Sequence, residues 1–296
     1  MKKIILLTII ILLSACAVKK PEISNNSLPL PADGSIVNIS QFVTPIENTE
    51  GYNITYMSDG LSITGYIIKP TGDGPFPAII YNHGSINGVA EPDALYTLAR
   101  LRYVVVASNY RGNGGSQGVE DFGDEDVNDV LNIITAAKNL KYVNINKICM
   151  LGESHGGQMS LLALSRTGDI KAAVVLFPIT DLISLASYYE SINPDNYLLN
   201  LLERKVGGSI KSMPEEYKKR SPINFIGQIN TPLLILHGED DKTVPIDQSY
   251  KLADELKKFD KKFITRYYKN QIHGFTGEAD IDLKIFISEW LQENLK

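Results

Sequence analysis

Residues 151–159 read Leu151-Gly-Glu-Ser-His-Gly-Gly-Gln-Met159, and the fold turns on what stands either side of them. Before them, Lys147-Ile-Cys-Met-Leu151 is a short apolar run of strand length. After the glycines, Met159, Leu161, Leu162 and Leu164 recur as on a buried helix. A strand therefore runs straight into a helix, and Gly152-x-Ser154-x-Gly156 is the joint. Glycines permit a turn that tight and let the helix pack close to the strand. A serine held on such a turn is presented at the strand end, so Ser154 is a candidate nucleophile. A serine hydroxyl is weakly nucleophilic at neutral pH. It needs a base within reach, a carboxylate to orient that base, and donors aimed at the developing oxyanion.

The alternation of strands and helices continues outward in both directions. Tyr52–Ser58 and Leu61–Ile68 alternate apolar and polar residues around Asp59-Gly60, a hairpin signal. Pro77–Tyr81, Tyr103–Ala107, Ala172–Leu176, Pro232–Leu236 and Phe263–Tyr268 are further strand candidates. Leu95–Leu101, Asp126–Leu140, His155–Ser165, Ile246–Phe259 and Ile281–Leu295 read as helices; in the second, Val127, Val130, Leu131, Ile134 and Ala137 keep a helical period. This pattern predicts an α/β domain: a mostly parallel sheet of about eight strands, helices on both faces, and an antiparallel hairpin at one edge. Between Leu176 and Pro232 a longer segment, about 181–225, carries Tyr188, Tyr189, Tyr197 and the charged run Glu215–Arg220. It is expected to form a small helical lid whose tyrosines either line an acyl pocket or, as the preferred reading, pack the lid itself.

In such sheets the reactive residues gather at the C-terminal ends of the strands. Of the four histidines, His155 follows the nucleophile and is expected to point away along the helix. His83 and His237 each precede a glycine at a strand end and are expected to bond loop backbone. His273, in Asn270-Gln-Ile-His-Gly-Phe275, sits on a loop between the last strand and the last helix, and is the candidate base. The acid lies in His237-Gly-Glu-Asp-Asp-Lys-Thr-Val-Pro245, where Glu239, Asp240 and Asp241 all qualify by type. Spacing alone does not choose among them. Arg111 suits a substrate-carboxylate clamp or an ion pair with the acids around it, and the ion pair is the preferred reading. No Cys/His cluster has metal-ligand spacing, so neither a metal nor an organic cofactor is expected.

HGEDDKTVP resembles the His-Gly-x-x-Asp-x-x-Val-Pro signature of α/β-hydrolases, especially the prolyl oligopeptidase family and related esterases. GESHGGQM is similar to the family's Gly-x-Ser-x-Gly-Gly-x-Met, and NYRGNGGSQG to its Tyr-Arg-Gly loop. NHGS resembles its first oxyanion loop, with Ser85 where a second glycine is usual. The likeness covers roughly residues 50–296. It implies an α/β-hydrolase fold, Asp241 as the acid with Asp240 as the alternative, and the chain order Ser154, Asp241, His273. It also implies oxyanion donors from the backbone N–H groups of His155 and Ser85, with the Ser85 side chain narrowing the pocket. Full-length members of that peptidase family carry a β-propeller ahead of this domain, for which the 50 preceding residues leave no room. A carboxylesterase or small-acyl hydrolase is therefore the first expectation, a serine peptidase acting on short peptides the second, and a non-catalytic surface binding protein the third.

The chain opens MKKIILLTIIILLSAC. Lys2 and Lys3, the short apolar run Ile4–Leu13, then Leu13-Ser-Ala-Cys16 have the layout of an export signal, too short to span a bilayer. The last four residues resemble a bacterial lipobox, which implies cleavage before Cys16 and its acylation. Residues 1–15 are thus read as signal, 16–50 as a lipidated tether rich in Pro, Asn and Ser, and 51–296 as the enzyme domain. The protein is expected at the bacterial cell envelope, at the outer membrane of a two-membrane host because Ala17 is not Asp. The net charge is −5, and losing residues 1–15 removes two lysines and no acid. So acidic a chain offers no nucleic-acid surface, and its membrane contact is expected through the lipid alone. With Cys16 acylated, Cys149, the other cysteine, has no disulfide partner and reads as a buried core thiol.

Overall fold

The apolar runs become the strands of one sheet in the computed structural model, which describes residues 30–84 and 93–296. In chain order the strands are β1 (Ile36–Phe42), β2 (Thr49–Ser58), β3 (Leu61–Pro70), β4 (Phe76–Asn82), β5 (Val104–Ser108), β6 (Val143–Glu153), β7 (Ala173–Leu176), β8 (Leu233–Gly238) and β9 (Phe263–Tyr268). The helices are α1 (Asp93–Arg100), α2 (Val127–Lys138), α3 (His155–Leu164), α4 (Leu182–Ile192), α5 (Tyr197–Val206), α6 (Pro214–Lys219), α7 (Asp247–Lys258) and α8 (Glu278–Asn294). Spatial order across the sheet is β1-β2-β3-β5-β4-β6-β7-β8-β9. The pairs β1–β2, β2–β3 and β3–β5 are antiparallel, and every pair from β5 to β9 is parallel.

Successive residues of a strand serve opposite faces. Ala78 and Ile80 of β4 join the core under α2, α3 and α7, with Ile133, Leu161 and Leu252. Ile79 and Tyr81 join the core under α1 and α8, with Leu95, Leu283 and Trp290. With both faces covered, β5, β7 and β8 are buried at every position, which is why they read as unbroken apolar runs. Between β7 and β8, helices α4, α5 and α6 gather Leu182, Leu185, Leu199, Leu202 and Tyr217 into a satellite core with Phe122 and Val244. This is the helical segment expected over 181–225. No helix among the described residues is long and apolar enough to cross a membrane.

The boundary at residue 50 needs correction. Pro31–Lys296 form one compact unit, and β1 pairs with β2 from Ile36 to Phe42. Residues 36–42 and 49–50 of the expected tether are thus part of the sheet, which has nine strands rather than eight among the described residues. The sequence hides β1 because an edge strand with Val37 44% and Ile39 50% exposed buries no face and shows no burial period. Ladder bonds hold it, together with the Phe42 ring set edge-on to Tyr66 at 6.5 Å. The signal over 1–15, Cys16 and Ser85 lie outside the described residues.

Candidate active site

Ser154 sits where β6 ends and α3 begins, with φ 55° and ψ −120°. A non-glycine residue there is strained and holds its place only because its surroundings demand it. Its N–H donates to Leu176 O at 2.9 Å, and its carbonyl accepts from Gly157 N at 3.0 Å and Gln158 N at 3.2 Å. The flanking glycines are required by space. A Cβ on Gly156 would stand 2.0 Å from Asn82 O, and one on Gly152 would stand 2.2 Å from Ser160 Oγ.

His273 follows β9 and brings Nε2 to 3.1 Å from Ser154 Oγ and Nδ1 to 2.7 Å from Asp241 Oδ2. Phe177, immediately after β7, packs its ring against the imidazole with centroids 4.5 Å apart. Asp241 is buried, whereas Glu239 and Asp240 are exposed, so the structure brings Asp241 and not Asp240 to His273. Its Oδ1 accepts from Thr243 N at 2.8 Å and Val244 N at 2.9 Å, which turns Oδ2 toward the histidines. His237 Nε2 lies 2.8 Å from Val244 O and 3.4 Å from Asp241 Oδ2, and its Nδ1 lies 2.7 Å from Ser249 Oγ. A carbonyl only accepts, so His237 carries its hydrogen on Nε2, facing the Asp241 carboxylate. Burial alone would raise the Asp241 carboxyl, but the bonds from His237, His273 and Val244 hold it well below the usual carboxylate range. An ionised Asp241 keeps the His273 hydrogen on Nδ1 and leaves the Nε2 lone pair to take a proton from Ser154.

The other candidates divide cleanly. His155 opens α3, so its N–H has no intrahelical carbonyl to bond and is available to an oxyanion. Its imidazole does not run outward along the helix as expected. It is buried, stacked on Phe122 at 4.1 Å, with Nδ1 3.0 Å from Gln158 Oε1. His83 donates from Nδ1 to Gly84 O at 2.9 Å, a backbone bond of the kind expected, and stacks on Tyr110. Arg111 is an ion-pair residue: its guanidinium reaches Asp129 Oδ1 and Asp59 Oδ2, each at 2.8 Å, and it is 3% exposed. Cys149 is buried, and burial pushes its thiol up, away from reactivity.

A cavity of about 270 Å³ opens beside Ser154 and His155, walled by Phe122, Ile179, Leu185, Tyr189, Leu202 and Val244. Helix α4 also braces the acid loop, with Tyr189 OH donating to Thr243 O at 2.6 Å and Tyr188 OH to Lys242 O at 3.2 Å. Neither Phe177 nor Phe122 is singled out by the sequence. Phe177 follows a strand and was open to the strand-end rule, but an apolar side chain carries no chemical signal there.

Residues 92–296 match the prolyl oligopeptidase family. An uncharacterized peptidase of Bacillus subtilis, YtmA, is 31% identical over 260 residues, covering 87% of this chain and 99% of that protein. The acylaminoacyl peptidase of Pyrococcus horikoshii superposes with a TM-score of 0.75 at 24% identity, over 85% of this chain and 42% of that one. An acylaminoacyl peptidase solved in complex with Z-Gly-Gly-Phe-chloromethyl ketone gives 0.73 at 25% identity, over 85% and 43%. The chain therefore spans nearly all of YtmA and less than half of the two solved peptidases.

Proposed function

Since the chain belongs to the prolyl oligopeptidase family and is a serine hydrolase, we propose that it is a serine peptidase that cleaves short peptides through Ser154, His273 and Asp241. The observation that carries this reading is the unbroken relay from Ser154 Oγ to His273 at 3.1 Å and from His273 to Asp241 at 2.7 Å. Ser154 Oγ attacks the scissile carbonyl carbon as its proton passes to His273 Nε2. The backbone N–H groups of His155 and Ser85 take the oxyanion. His273 then gives the proton to the departing amine, leaving an acyl-enzyme. Water attacks it, His273 takes the water proton, and the peptide acid leaves.

The walls of the adjoining cavity suit an apolar side chain next to the cleaved bond. The chloromethyl ketone on the related acylaminoacyl peptidase ends in Phe, which agrees with that chemistry. Ester cleavage, ranked first from sequence, uses the same groups; the kinship with peptidases moves it to second place. We place the protein at the cell envelope, tethered by lipid on Cys16.

A serine-directed fluorophosphonate is expected to label the wild type and leave Ser154→Ala unlabelled; equal labelling of both removes Ser154 from the mechanism. Peptidyl-Phe and peptidyl-Leu anilides are expected to be turned over. Hydrolysis of acyl esters with no anilide turnover would return the reading to an esterase.

A further inference from the structure

Glu120, Asp126 and His155 form a buried cluster that the serine chemistry does not use, 3%, 0% and 3% exposed respectively. The first two lie on the loop between β5 and α2, and the third opens α3. One ligand atom from each lies within 4.8 Å of the others. Glu120 Oε1, Asp126 Oδ2 and His155 Nε2 have no hydrogen-bond partner among the described residues.

The surroundings decide which way each atom faces. The Gln158 amide nitrogen donates to Phe122 O at 3.1 Å and Arg220 O at 2.8 Å, so its oxygen is the atom 3.0 Å from His155 Nδ1. That oxygen only accepts, so Nδ1 carries the imidazole hydrogen. Nε2 then faces Glu120 Oε1, 3.4 Å away. A charged N–H···O bond would close to about 2.7–2.9 Å. Two ligands of a tetrahedral ion with bonds of about 2.0–2.1 Å stand roughly 3.4 Å apart. The remaining atoms are already pinned. Glu120 Oε2 accepts from Lys205 and from Asn113, each at 2.9 Å, and Asp126 Oδ1 accepts from Gly123 N at 2.8 Å and Asp124 N at 3.1 Å. Such outer bonds are what orient metal ligands.

We propose that Glu120, Asp126 and His155 bind one divalent transition-metal ion of the zinc class. An imidazole with two carboxylates suits such an ion, whereas calcium and magnesium call for oxygen ligands alone. The ion would tie the loop after β5 to the first residue of α3, next to Ser154, and so brace the turn from outside the reaction.

The test strips the purified full chain with a chelator, adds zinc, counts bound metal after equilibrium dialysis, and follows thermal unfolding. Wild type and Ser154→Ala are each expected to hold one zinc per chain with a raised melting temperature. Because Ser154→Ala leaves this site intact, its zinc content reads the proposal separately from the peptidase reading. His155→Gln, Asp126→Asn and Glu120→Gln are each expected to weaken binding at least about tenfold. Should His155→Gln fail to fold, the near-isosteric Asp126→Asn carries the comparison. Retention of no zinc, manganese or nickel by wild type would overturn the proposal and leave Nε2 sharing a proton with Glu120. Equal zinc affinity in wild type and all folded variants would overturn it too, because the ion would then sit elsewhere.

Discussion

At the scale of single residues, environment separates groups that look alike in the sequence. Glu239, Asp240 and Asp241 are adjacent acids, yet only Asp241 is turned inward, pinned by two backbone N–H groups and flanked by two imidazoles. Asp241→Asn keeps the shape but is expected to let His273 adopt the wrong tautomer. Turnover should fall about 10⁴-fold, as for the corresponding change in the serine-protease triad, with the protein still folded. The same carboxyl gives a pH signature. Its folded value lies below the unfolded value of about 3.9, so the stability it contributes is present above that pH and is lost as pH falls through the folded value. Denaturation midpoints measured into the acid range should therefore drop more steeply for wild type than for Asp241→Asn. Arg111 is the opposite case, a tempting functional residue whose partners are structural. Arg111→Met leaves Asp129 charged and buried and is expected to cost about 3–5 kcal/mol in chemical denaturation. Labelling of Ser154 in the folded fraction should be unchanged, whereas loss of a substrate clamp would raise KM at constant stability.

At the scale of elements, the joint between β6 and α3 is the feature the sequence displayed most openly. An apolar run, two spaced glycines and a leucine-rich stretch can hardly be built another way, because only glycine lets α3 start against the Asn82 and His83 carbonyls. Gly156→Ala places a methyl 2.0 Å from a backbone oxygen that no side-chain rotation relieves. It is expected to cost about 3 kcal/mol or more in denaturant stability and to displace Ser154 from His273, so labelling should fall together with stability. The parallel strands were legible for a related reason: burial on both faces leaves a continuous apolar run. Strand β1 was not, since its cross-strand bonds involve backbone atoms that every sequence possesses. The lid helices were legible as a segment, but their grip on the acid loop through Tyr188 and Tyr189 was not.

At the scale of the whole molecule, the sheet runs from the exposed edge β1 to β9, and the proposed catalytic groups sit in the half remote from β1, on loops after β6, β8 and β9. Removing residues 1–45 would delete β1, bare the edge of β2 and abolish the Phe42–Tyr66 contact. The truncated chain is expected to unfold at lower denaturant than the full chain and to associate through the new edge, read by light scattering. For the proposed envelope tether, Cys16→Ser is expected to move the protein from the membrane fraction to the soluble exported fraction; continued membrane association would rule out the lipid.

The sequence by itself determined the alternation of strands and helices, the elbow at Ser154, and the short motifs that hold the proposed nucleophile, acid and base. These are local: each depends on spacing within about a dozen residues, where periodicity and glycine placement act directly. Only the tertiary structure decided which of three neighbouring acids meets His273, that residues before 50 complete the sheet, and that Glu120, Asp126 and His155 come together. The first and third depend on contacts between residues 29 to 35 positions apart, and the second on cross-strand pairs 9 to 20 positions apart. Burial and the directions of hydrogen bonds across such gaps exist only once the sheet has set its register.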